Sequence, residues 1–155
     1  ITPLAGSGSL AKTFEQIVKG RAKANITFKE LMQIASSETM RMFDGFMRQN
    51  YLQIELAANT LDNHPMPAKD VTGPGQWMFL VPEKREEFKA AMPHFEKSVH
   101  GYAREAAKLS KEGKWEEGYA AYQKIIAGCV QCHLVFKEWT MDNQALKKIK
   151  AAAGK

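Results

Sequence analysis

The sequence predicts an all-α fold, an antiparallel four-helix bundle with an extra N-terminal segment. Two observations carry that expectation. Apolar residues recur at steps of four and three through four separate stretches, which places each set on one face of a helix. The connections are short between the first and second stretches and between the third and fourth, with one longer crossover between the second and third, so neighbours in sequence pack side by side. At 155 residues the chain is long enough to bury a sizeable core and reads as one bundle domain over 27–155, with 1–26 as an extension.

Residues 1–9 carry Pro3, Gly6, Ser7, Gly8 and Ser9, the composition of a loose leader. Leu10, Phe14, Ile17 and Val18 then repeat at helical spacing up to Gly20, enough for a short extra helix. The first strong helix starts after Thr27, where Thr27 and Glu30 form a T-x-x-E capping box, and runs over about 28–48. Its stripe is Phe28, Met32, Ala35, Thr39, Met42 and Phe46. Asn50 caps the second helix, about 51–63, whose face is Tyr51, Ile54, Ala58 and Leu61. Pro65 and Pro67 end it.

Residues 62–81 form a connection rich in proline and glycine that closes on the apolar run Trp77 to Val81, and a loop of this length is a candidate lid. Pro82 suits a first helical position, and Glu83, Glu86 and Glu87 favour the positive end of the helix it opens. That third helix carries Phe88, Met92, Phe95, Val99, Tyr102, Ala106 and Leu109, and Pro93 inside it is expected to kink or split it. Gly113 lies in a tight turn, and the fourth helix follows over about 115–141 with Trp115, Tyr119, Tyr122, Ile126, Cys129, His133, Phe136 and Thr140 on one face.

Within the fourth helix lies Cys129-Val130-Gln131-Cys132-His133. C-x-x-C-H is the attachment pattern of c-type haem, in which two thiols join the vinyl groups and the histidine ligates iron. The helical spacing turns Cys129, Cys132 and His133 toward the interior. Two other chemistries use the same residue types, a zinc corner and a redox dithiol. Zinc asks for a fourth ligand, the chain has two cysteines in all, and His64, His94 and His100 lack the usual paired spacing.

In an antiparallel bundle the end of the fourth helix meets the start of the first. His133 would sit about eight residues from its helix end, roughly 12 Å along the axis at about 1.5 Å per residue, which corresponds to the stretch from Phe28 to Ser36 on the first helix. Phe28, Leu31, Met32 and Ala35 then face the second side of the iron, and of these Met32 alone offers a ligand atom. Ligation by Met32 would give a six-coordinate, low-spin centre of raised potential; packing alone, the commoner use of methionine, leaves a five-coordinate iron behind an apolar wall. His64 is a rival axial ligand or an exposed loop residue, and His94 and His100, six apart, read as surface or rim residues. Trp77 and Phe79 read as pocket wall.

Lys and Arg number 22 against 17 Asp and Glu, a net charge of +5, which can steer an acidic partner. Lys147, Lys148 and Lys150 lack interleaved aromatics and read as a solvated tail rather than a nucleic-acid surface. No apolar run is long enough to span a bilayer. Ile1-Thr2-Pro3-Leu4 lacks the features of an export signal, so the chain is expected to be a mature form. No acid–base pair, nucleophile constellation or phosphate loop argues for an enzyme.

The chain resembles the cytochrome c′ family, the class II c-type cytochromes with their low-spin methionine-ligated relatives, over about residues 27–141. The resemblance rests on Cys129-Val130-Gln131-Cys132-His133 followed by Phe136-Lys137, where the family has an aromatic and then a basic residue four beyond the histidine. It implies an up-down-up-down bundle, one covalent haem c held by Cys129, Cys132 and His133, and a periplasmic location, because haem is attached after export. It further implies a redox protein partner, dimers through the first two helices, and Lys137 modulating the ligand side of the haem. Residues 1–26 have no counterpart in the family pattern, and Phe28, Leu31 and Met32 all remain open as the distal residue. The functions in view are an electron carrier with Met32 as sixth ligand, a five-coordinate haem protein binding nitric oxide or carbon monoxide, and a non-haem zinc or dithiol module.

Overall fold

The Thr27–Glu30 capping box forms as expected: the Glu30 backbone N–H donates to the Thr27 hydroxyl at 3.1 Å, and the Thr27 N–H donates to the Glu30 carboxylate at 2.7 Å. It starts the first helix of a computed structural model that describes residues 22–73, 75–76, 82–137 and 151–152. The elements are β1 (Lys23–Ala24), α1 (Phe28–Met47), α2 (Tyr51–Asn63), β2 (Met66–Pro67), a 3₁₀ turn at Pro82–Lys84, α3 (Arg85–Lys111) and α4 (Trp115–Phe136). The fold is all-α apart from β1 and β2, which pair in parallel over two residues each, Lys23 with Met66 and Ala24 with Pro67. The short helix expected over residues 10–18 and the run Trp77 to Val81 lie outside the described residues.

Both tight turns use the same device. At the end of α1 the Gln49 N–H donates to the Phe46 carbonyl and the Asn50 N–H to the Gly45 carbonyl; at the end of α3 the Gly113 N–H donates to Ser110 and the Lys114 N–H to Leu109. These are Schellman closures, which need a left-handed residue at the pivot. Gly113 takes it at φ 76°, whereas at the first turn Gln49 does so at φ 51°. The next helix then starts close by, and Asn50 accepts from the Gln53 N–H at 3.2 Å.

α1 packs on α2, α2 on α3 and α3 on α4, with a lighter contact between α1 and α4. The core lies in two clusters. One gathers Met42, Phe46, Ile54, Leu61, Ala103, Ala106, Tyr122 and Ile125. The other gathers Phe28, Leu31, Met66, Val71, Phe88, Met92 and Phe136, so the starts of α1 and α3 meet the end of α4. Phe88 anchors that second cluster, edge-on to Phe28 at 5.8 Å and to Phe136 at 5.4 Å.

Five expectations are corrected. α3 is not split at Pro93, being one helix from Arg85 to Lys111, and Pro82 opens the 3₁₀ turn before α3 rather than α3 itself. The buried face of α3 is Phe88, Met92, Glu96, His100, Ala103, Ala106 and Ser110, with Phe95, Val99 and Tyr102 half-buried beside it. A purely apolar stripe therefore misplaced that face, because three polar residues hold its inner positions. On α4 the buried ridge is Gly118, Ala121, Tyr122, Ile125 and Gly128, leaving Ile126 exposed, as Tyr51 is on α2. Finally, α4 ends at Phe136, followed by extended backbone at Lys137, so His133 lies three residues from the helix end (136 minus 133); Thr140 is outside the described residues.

Candidate functional site

A cavity of about 230 Å³ lies between the two core clusters, bordered by Leu61 of the first and by Phe28, Leu31, Phe88 and Met92 of the second. Cys129, Cys132 and His133 of α4 line it, as do Met32 and Ala35 of α1. The helix explains the convergence: thiols three residues apart and an imidazole four residues past the first share one side of α4. The sequence-derived site residues Phe28, Leu31, Met32, Cys129, Cys132 and His133 are thus brought together. Lys137 is not on the cavity wall; its backbone N–H donates to the His133 carbonyl at 3.1 Å, and its cation acts on His133 from one helical turn away.

Burial raises the Cys129 thiol above its ordinary value, and burial with the neighbouring Cys129 pushes Cys132 up to about 12. In the absence of a metal the two thiols are held neutral, the protonation state in which a thiol is a poor attacking group. Burial, helped by the Lys137 charge, lowers His133 and favours the neutral imidazole that a metal requires. The donor set fits a c-type haem: two thiols and one imidazole on α4, in a cavity whose lining is mostly apolar and also carries the Met32 thioether, Ser36, Thr39, His64, Glu96 and His100. Phe28 and Leu31 are fully buried there, while Met32 is half-buried.

No family model, curated protein or solved structure matches the chain.

The crossover covers this end of the molecule. Gln76 accepts from the Phe28 N–H through its side-chain carbonyl at 3.1 Å and from the Lys29 N–H through its backbone carbonyl at 3.0 Å, capping α1. Met66 and Val71 are buried in the same cluster as Phe28. Asp70 in turn accepts from the Thr72 N–H and hydroxyl, which holds its carboxyl below the ordinary range and fixes the loop.

His64, expected as a rival axial ligand or an exposed loop residue, and His100, expected at the surface or rim, are both buried. Pro65 disfavours helical backbone at the residue before it, so α2 stops and His64 adopts extended backbone at ψ 144°. Its Nε2 lies 3.2 Å from Nε2 of His100, with Glu96 alongside, and all three residues line the cavity. His94, on the same helix, is exposed as expected. Glu96 and His100, four apart on α3, were the available signal, masked because the third member comes from a different helix.

Proposed function

We propose that this chain is a periplasmic class II-like c-type cytochrome, an antiparallel four-helix bundle that carries one covalent haem and moves electrons. The observation that supports it is that Cys129, Cys132 and His133 line one largely apolar cavity together with Met32. The meeting of Phe28, Phe88 and Phe136 at one end, and of Phe46 with Trp115 and Tyr119 at the other, supports the antiparallel arrangement.

In this reading Cys129 and Cys132 would hold the macrocycle as thioethers, and His133 and Met32 would offer its iron a nitrogen and a sulfur donor. The haem supplies a one-electron couple when bound. The chain's own part is to exclude water with Phe28, Leu31, Phe88 and Met92, which limits reorganisation around a changing charge. His133 is held neutral and fixed by its place on α4. A charge of +5 draws an acidic redox partner. Apolar side chains exposed on the first two helices, Met40 and Met47 on α1 with Leu52 and Leu56 on α2, suit a homodimer contact.

One observation favours a second reading. Phe28 and Leu31 are buried on the cavity wall while Met32 is only half-buried, an arrangement that suits an open iron taking nitric oxide or carbon monoxide against an apolar face. Optical spectroscopy of the purified protein decides. A Soret band with a methionine-to-iron charge-transfer band at the red end, lost in Met32→Ala, is the expected result. A high-spin spectrum with rapid carbon monoxide uptake selects the second reading, and absence of a Soret band together with an unmodified intact mass overturns both.

A further inference from the structure

His64, Glu96 and His100 are three ionisable side chains that a bundle core has no structural need to bury, with exposures of 8%, 9% and 6%. We propose that they form a binding site for a divalent first-row transition ion, separate from the thioether motif and drawing on none of its residues. The site takes its ligands from two helices: His64 at the end of α2, and Glu96 and His100 one turn apart on α3.

The distances have the scale of a coordination sphere. His64 Nε2 lies 3.2 Å from His100 Nε2 and 3.9 Å from Glu96 Oε1, and His100 Nε2 lies 3.3 Å from Glu96 Oε2. Two donors bound to one ion at about 2.0–2.2 Å stand roughly 3.0–3.5 Å apart, so modest closure around an ion satisfies all three pairs. The second nitrogen of each ring is already oriented. His64 Nδ1 faces the Pro65 carbonyl at 3.0 Å, and His100 Nδ1 faces Asp62 Oδ1 at 3.3 Å, both of them acceptors.

Donation from each Nδ1 turns both Nε2 lone pairs inward, beside a carboxylate that also supplies electron pairs. A single cation neutralises that concentration of donors. Asp62 is itself held by Arg104, so the outer partner of His100 is fixed in place. Two imidazoles and one carboxylate suit zinc or iron(II), cobalt(II) or manganese(II).

The test uses the full chain as purified, with zinc as the probe. After chelator treatment and dialysis against Zn²⁺, mass spectrometry of the metal content is expected to give about one zinc per chain. His64→Ala and His100→Ala weaken its affinity by at least tenfold, and Asp62→Asn weakens it by about 10–100-fold as an outer-partner change. His94→Ala leaves it unchanged, and far-UV circular dichroism confirms that each variant is folded. X-ray absorption of the wild-type zinc complex is expected to show nitrogen and oxygen neighbours with imidazole scattering, a readout that needs no variant.

Zinc bound through sulfur places the metal on Cys129 and Cys132 and overturns this site and the haem reading together. Failure to retain zinc, or equal retention in all variants, overturns this site alone. The Soret band of the same sample reports the haem independently.

Discussion

Gln49 occupies a left-handed pivot that Gly113 occupies in the equivalent turn. For a residue with a Cβ that conformation costs about 1–2 kcal/mol, partly offset by the greater freedom glycine has when unfolded. Gln49→Gly is therefore expected to stabilise the chain by about 0.5–1 kcal/mol in urea unfolding, and Gly113→Ala to destabilise it by about 1 kcal/mol. The two thiols give a prediction of a different sign. Their folded pKa values are raised, so the stability they permit is complete below the unfolded thiol value and declines as pH rises from there through about 12 for Cys132. Protein with free thiols should lose stability across that alkaline window, and protein with both thiols in thioethers should lack that component; pH-dependent denaturation of the two forms checks it. At this scale the thiols and His133 were legible, because one helix carries all three. His64 and His100 were not, because their meeting depends on where Pro65 stops α2 against α3.

Helices α1 and α2, and likewise α3 and α4, approach each other at a glycine. A Cβ at Gly45 would lie 2.7 Å from Ile54 Cγ1, and one at Gly118 would lie 2.9 Å from Ser110 Oγ and 3.2 Å from the Ala106 carbonyl. Gly118 faces a carbonyl that cannot move without disturbing α3, so Gly118→Ala is expected to cost about 1–3 kcal/mol in thermal or urea unfolding, and Gly45→Ala a similar amount. The helices themselves were well marked in the sequence: capping at Thr27 and Asn50 and the prolines after α2 set the limits of α1 and α2. The inward face of α3 was not, since Glu96, His100 and Ser110 stand where a hydrophobic count expects Phe95, Val99 and Leu109. Ser110 is accommodated by donating its hydroxyl to the Ala106 carbonyl at 2.7 Å. Glu96 and His100 instead serve each other and His64.

Across the whole molecule, the all-α character followed from periodicity, whereas the parallel pairing of β1 with β2 had no signal in two residues of each strand. Charge acts at this scale. With a net charge of +5, the association rate with an acidic redox partner is expected to fall as salt rises from about 10 mM to 150 mM, where screening shortens from about 30 Å to 8 Å; stopped-flow mixing measures it. If Leu52 and Leu56 help join two copies, Leu52→Lys with Leu56→Lys should shift sedimentation toward the monomer without loss of helix.

The two ends of the molecule are closed by contacts of very different span. Asn50 reaches back only five residues to Gly45, yet Phe28 is tied to Gln76 across 48 positions and Met66 to Ala22 across 44. Long-span ties repay their loop entropy only after the rest has formed. The amides of Phe28, Lys29 and Met66 should accordingly exchange with deuterium ahead of that of Asn50. The end of the bundle where the crossover ties down the start of α1 is then the last part to be laced and the first to come undone.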